Sequence, residues 1–145
     1  PLPFMLELAH YEWVELAVWS STIDEDYQES ISLNKNAKAV LSQNAWLLAY
    51  RYPVHQISKD YIPQAPAEQP VMLMVYRNKE DEVRFSQLSG ATFALGQLLE
   101  AGKLNLGEII QHLSEQMQLD QELVEQEVFK FISDWSEKGV ILTVE

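Results

Sequence analysis

From Val71 to Leu88 the chain consists of two β-prone runs, Val71-Met72-Leu73-Met74-Val75-Tyr76-Arg77 and Val83-Arg84-Phe85-Ser86-Gln87-Leu88, separated by the polar Asn78-Lys79-Glu80-Asp81-Glu82. Runs joined in this way predict an antiparallel hairpin with a loop longer than the two-residue type. Directly after it the apolar period changes from two to three and four, and this switch restricts the fold more than any other feature. Ser89-Gly90 leads into a helix over Ala91 to Ala101, marked by Phe93, Leu95, Leu98 and Leu99 and ended by Gly102. Asn105 and Glu108 stand three apart ahead of Ile109-Ile110 and Leu113, the capping-box spacing, so a second helix begins near Leu106. Asp120 caps a third, whose apolar face is Leu123, Val124, Val128, Phe131, Ile132 and Trp135, until Gly139 stops it. Val140-Ile141-Leu142-Thr143-Val144 is a final strand. The order strand, strand, helix, helix, helix, strand outlines a winged-helix-like module in which helices two and three resemble a helix-turn-helix.

Ahead of the hairpin, Met5, Leu8, Ala9, Trp13, Leu16 and Ala17 recur at three- and four-residue spacing from Phe4 to Trp19. They predict a helix with these residues facing a core. Ser20-Ser21-Thr22 and Asp24-Glu25-Asp26 lack apolar period and are expected to be a loop or solvated helix end. Asn34 to Leu41 is open between a short helix and irregular chain. Trp46, Leu48, Tyr50, Tyr52 and Val54 alternate with smaller or polar residues, as in a strand with one buried face, and Pro53 demotes its far end to an edge. Three prolines between Ile62 and Pro70 make that stretch a stiff, extended connector. The expected organisation is therefore a helix-and-strand packing region over 1–62, a Pro-rich connector over 63–70 and the winged-helix-like module over 71–145. The fold class is α+β, with an N-terminal helix on a small antiparallel sheet of about four strands, followed by three helices and a final strand.

A chain of 145 residues forms one domain, or two small ones sharing a core, and 47% apolar against 22% charged residues excludes disorder for most of it. With 10 Lys and Arg against 22 Asp and Glu, the net charge is −12, which opposes binding to a polyphosphate. From Ser89 to Glu145 ten carboxylates face three lysines, a net of −7, and Glu122, Glu125 and Glu127 precede the first Lys of the third helix. No nucleic-acid partner is expected for this segment, because a recognition helix must approach phosphates that repel carboxylates. A peptide can add as a strand to an open sheet edge, and an acidic groove suits a basic or neutral one, although most exposed edges bind nothing. The chain has no cysteine, so it supplies neither a disulfide nor a thiolate. No apolar run approaches the ~18 residues of a membrane span, and no basic region precedes an apolar one at the start, so a soluble, cytoplasmic protein without a membrane partner is expected. Without an initiator Met, the chain is expected to be the C-terminal part of a longer protein or a processed one.

Several residues bear on chemistry. Glu12 falls between Leu8 and Leu16 on the apolar stripe of the first helix, where a bare carboxylate is costly unless paired, and Arg51 and His55 are its candidate partners. A partly exposed Glu at the edge of the core, or a scaffold ion pair, is favoured over a functional carboxylate there. Trp13, Trp19, Trp46 and Trp135 are most simply core or half-core aromatics, and any one of them could anchor an interface. His10, His55 and His112 stand in no metal-ligand spacing, and no nucleophile elbow or phosphate loop occurs, so no catalytic residue, metal or cofactor is expected. Arg77 and Arg84 flank the hairpin turn, where salt bridges to Glu80, Asp81 and Glu82 are favoured over a docking role. If a peptide docks, the candidates are Tyr76, Arg77 and Arg84 of the hairpin and Glu122, Glu125 and Glu127 of the third helix.

Leu8-Ala9-His10-Tyr11-Glu12-Trp13 with Leu16-Ala17, then Tyr50-Arg51-Tyr52-Pro53-Val54-His55, then Val75-Tyr76-Arg77 with Val83-Arg84-Phe85, resemble the C-terminal region of the HvfC-type family. These bacterial proteins have an N-terminal helical half labelled a DNA-binding domain. From Val71 onward the order of elements also resembles the PqqD-type peptide recognition element of ribosomally made, modified peptides. The resemblance implies a non-catalytic accessory subunit that binds a precursor peptide and presents it to a multinuclear iron enzyme, as in the methanobactin pathway. It also implies that the family's N-terminal half is absent from this chain. The alternative is the effector or dimerisation domain of a transcription regulator whose DNA-binding part lies in that half.

Overall fold

The computed structural model describes residues 3–21 and 34–144, and Asp24-Glu25-Asp26 lies outside them. In chain order the elements are α1 (Met5–Trp19), β1 (Lys38–Leu41), β2 (Ala45–Tyr50), a 3-10 turn (Val54–Gln56), β3 (Val71–Arg77), β4 (Val83–Leu88), α2 (Gly90–Ala101), α3 (Leu106–Met117), α4 (Gln121–Glu137) and β5 (Ile141–Val144). The fold is α+β. Two compact units share the chain: Pro1–Thr22 with Asn44–Phe93, and Ile23–Gln43 with Ala94–Glu145.

In the first unit β2, β3 and β4 form an antiparallel sheet with β3 in the middle, running from Ala45↔Tyr76 to Tyr50↔Val71 on one side and from Met72↔Leu88 to Arg77↔Val83 on the other. The hairpin turn is organised by Asn78, whose side-chain oxygen accepts from the N–H groups of Glu80 (3.0 Å) and Glu82 (2.9 Å). α1 lies on the face of Leu48, Tyr50, Leu73 and Val75, and its Tyr11, Val14 and Val18 join Phe4, Tyr52 and Val54 in one core.

The stripe expected to face this core mostly does not. Leu8 is half-buried against it, but Met5, Ala9, Trp13 and Leu16 are exposed. α1 is apolar on two sides, and spacing alone does not say which one packs. Val14 and Val18 are compact and let the helix lie close to the sheet, which the bulk of Trp13 would prevent. The strand expected to run to Val54 ends at Tyr50. Tyr52 and Val54 are still buried, but from the bend and the 3-10 turn that follow.

In the second unit β1 pairs antiparallel with β5, from Lys38↔Val144 to Leu41↔Ile141. Asn34 to Leu41, open in sequence between a short helix and irregular chain, is a turn closed by Ala37 N–H donating to Asn34 O (3.1 Å), followed by β1, which is held by a partner far away in sequence. α3 begins with the complete capping box. Glu108 N–H donates to Asn105 Oδ1 (2.8 Å), and Asn105 N–H donates to Glu108 Oε1 (3.0 Å). Two further N–H groups of this helix start, those of Leu106 and Gly107, donate to Ala37 O and Lys35 O, each at 2.9 Å. A Cβ on Gly107 would stand 3.2 Å from Lys35 O, a tight contact that asks the neighbouring backbone to give by a few tenths of an ångström. Asp120 Oδ1 accepts from Glu122 N–H (3.0 Å) and starts α4, which packs on α3. After α4, Gly139 takes φ +80° and turns the chain into β5.

The sheet of about four strands is thus two sheets, of three strands and of two. The residues expected as one module over 71–145 contribute to both units, because the hairpin belongs with α1 and β2, and the Pro-rich stretch lies inside the first unit. Asn105→Ala removes an acceptor that two-sided capping depends on and is expected to cost about 1 kcal/mol. The measurement is the urea midpoint, which should fall with the slope of the transition unchanged.

Candidate functional site

The polar residues of the first unit converge where β2 leaves the sheet. Beyond Tyr50 the backbone N–H groups of Arg51 and Tyr52 have no strand to pair with, and the carboxylate of Glu7 on α1 takes them. Arg51 N–H donates to both Glu7 oxygens at 3.0 Å, and Tyr52 N–H donates to Oε1 at 2.9 Å. The Arg51 guanidinium adds a long contact of 4.0 Å to Oε2 and lies 5.8 Å from the Tyr52 ring centroid. Glu7 is therefore the partner of Arg51. Glu12, which the sequence paired with Arg51 or His55, is exposed on another side of α1. The signal that would have found Glu7 is its place four residues before Tyr11 and seven before Val14, on the stripe that packs.

One turn further along α1, His10 Nδ1 lies 2.8 Å from the Tyr50 hydroxyl. Burial pushes the Tyr50 phenol up to about 12, with Glu7, Tyr11 and Glu15 adding to it. The Tyr11 phenol, also buried and near Glu15, reaches about 12 as well. Both rings meet edge to face at 6.3 Å. Trp13 stacks edge to face with Trp46 at 5.6 Å and tilts against His10 at 6.1 Å, so it is a held aromatic on the surface and not a core one.

On the far edge of the sheet, His55 of the 3-10 turn reaches β4. Its Nε2 lies 3.3 Å from Gln87 Oε1, its ring meets Phe85 edge to face at 5.6 Å, and its Nδ1 is buried without a hydrogen-bond partner. Burial lowers its pKa, and the bond to Gln87 opposes that. Phe85 remains about half exposed, at 48%. β2 and β4 are the end strands of this sheet among the described residues.

Of the hairpin candidates, Tyr76 is buried. Arg77 carries a structural load. Its guanidinium donates to Ser21 O at 2.7 Å and to Val18 O and Trp19 O at 3.4 Å, capping the carbonyl end of α1, while Nε stands 3.7 Å from Asp81. Arg84 donates to Glu82 at 2.7 Å, one of the expected acidic partners but two residues away on the same arm and not across the turn, and stays exposed. In the second unit Glu122 and Glu127 are exposed on α4, and Glu125 is half-buried with Lys35 Nζ at 3.6 Å. Glu122 in the first turn also complements the helix dipole. Among the described residues no three His, Asp or Glu side chains gather as a metal site, and no helix is long and apolar enough to cross a membrane.

The two raised phenols set a pH dependence. Each ionises near 10 in the unfolded chain and near 12 in the folded one, so their contribution is complete below 10 and is lost as pH rises through 12. Phenolate absorbance should show two late-titrating tyrosines and declining stability above pH 10. Tyr50→Phe is expected to remove one late transition and cost about 1 kcal/mol at neutral pH through the lost bond to His10.

A family model described as the HvfC C-terminal domain matches residues 42–136, more than half of the chain. No curated protein matches it.

Proposed function

The chain belongs to the family of the HvfC C-terminal domain, and from that premise we propose that it is a non-catalytic accessory subunit in peptide modification. It binds a precursor peptide and docks to the iron enzyme that modifies it. The observation that carries this reading is the family match over residues 42–136, which takes in the whole β2–β3–β4 sheet. The edge of that sheet at β4 supports it. A peptide in the manner of a PqqD-type element adds as a further strand, so that main-chain hydrogen bonds supply affinity and nearby side chains supply choice. At β4 those side chains are Phe85, half exposed and backed by His55, and Arg84, exposed beside Glu82. Tyr76 and Arg77 act behind them, one buried in the sheet and the other holding α1.

The exposed carboxylates of Glu122 and Glu127 give α4 a surface suited to basic segments. α3 offers phosphate little, because Leu106, Gly107 and Glu108 N–H groups at its start are already bonded. Duplex DNA at low salt, where phosphate attraction is strongest, is expected to leave the chain unshifted on a gel.

The direct test is a pull-down with this chain as bait from cells expressing the genes that flank its own. A short precursor peptide and an iron enzyme are expected to be retained, and the absence of both overturns the reading. With the peptide in hand, Phe85→Ser should weaken its capture about tenfold, with helical and sheet signals unchanged.

A further inference from the structure

Ten large apolar side chains are exposed among the described residues, and five of them, Met5, Leu6, Trp13, Leu16 and Trp19, lie on α1. At 3.6 residues per turn, Leu6, Ala9, Trp13 and Leu16 follow one another along one stripe, with Met5 beside it. This stripe points away from the side of Tyr11, Val14 and Val18 that covers the sheet. Leu6 is 84% exposed, Leu16 59% and Trp13 55%, so the stripe is bare along the helix. A helix apolar on two sides belongs between two partners, and among the described residues α1 has one. Trp13 is already positioned by Trp46 and His10, so its ring loses little freedom when covered.

The charges around the stripe select the occupant. α1 carries Glu7, Glu12 and Glu15 and neither Lys nor Arg. Glu7 is spent on Arg51 and Tyr52, whereas Glu12 and Glu15, one turn apart, have no cationic partner among the described residues. Their repulsion is felt, since Glu12 adds to the effect of burial in raising the Glu15 carboxyl above its ordinary value. A second copy would bring another chain of net charge −12, and a two-fold pairing of α1 helices would set their glutamates near one another. An anionic bilayer is disfavoured for the same reason, because helices that lie on membranes carry Lys and Arg beside the apolar face.

We propose that the outer face of α1 is a docking surface for a basic amphipathic helix of another protein, its apolar side seated on Leu6, Ala9, Trp13 and Leu16 and its Lys or Arg meeting Glu12, with the half-buried Glu15 behind it adding to the negative field. This surface precedes the residues matched by the family model and is separate from the β4 edge. Its failure leaves the accessory reading untouched.

Two synthetic amphipathic helices with the same leucine face, one carrying lysine and the other glutamate at the polar positions, test it by tryptophan fluorescence on the 145-residue chain. The lysine helix is expected to bind and the glutamate helix not to. Leu6→Ser and Leu16→Ser, both on exposed positions, should each weaken binding about tenfold without altering the thermal midpoint. Glu12→Gln should weaken it more than Glu122→Gln on α4, which reports general acidity. Equal binding by the Leu6→Ser/Leu16→Ser double variant would mean charge attraction without a site and overturns the proposal. So would a dimer in sedimentation that Leu16→Ser dissolves, or co-sedimentation of the chain alone, with no helix added, with phosphatidylglycerol vesicles but not with phosphatidylcholine ones.

Discussion

Backbone N–H groups at the end of a strand must find an acceptor, and at the end of β2 that acceptor is the carboxylate of Glu7. The contact joins residues more than forty apart in sequence. It ties the first turns of α1 to the point where the chain bends out of the sheet, and so sets both the seat of the helix and the direction of the segment that follows. That segment makes the 3-10 turn that carries His55 onto Phe85 and Gln87 of β4. At the other end of α1 Arg77 plays the matching part, donating to carbonyls that the helix leaves open. One carboxylate and one guanidinium thus hold the helix by its two ends, and the apolar core between them needs only to fill the space.

Seating α1 in this way decides what it shows to solvent. The side with Tyr11, Val14 and Val18 goes inward together with Glu7, and the side with Leu6, Trp13 and Leu16 goes outward. The surface proposed for a basic helix is therefore a consequence of how the strand end is satisfied. The β4 edge has a different origin, since among the described residues it is an end strand that pairs with β3 alone. The two surfaces suit different partners, an extended peptide at the edge and a helix on the helix.

Much of the local structure was legible because its causes are local. The capping box at Asn105 and Glu108, the cap at Asp120, the stops at Gly102 and Gly139 and the hairpin of Val71 to Leu88 depend on residues a few positions apart, and the structure has each of them. The ion pair of Arg84 with Glu82 is of the same kind. What failed was pairing across distance: Glu12 stood closer to the expected stripe than Glu7, and the double-sided α1 gave no reason in its spacing to prefer one face. The site residues divide likewise, with Arg84, Glu122 and Glu127 accessible as their polarity suggests and Tyr76 buried by its register in a central strand.

By itself the sequence determined the acidity of this protein, its α+β class, the caps and the helix starts, since these follow from composition and from interactions within a turn or two. Only the tertiary structure decided that Lys38 to Leu41 is a strand, that the hairpin belongs to one compact unit with α1 and β2, and that Glu7 rather than Glu12 faces inward. The reason is physical. A strand without a partner and a helix with two apolar sides are each undetermined until something distant supplies hydrogen bonds to the one and a surface to the other.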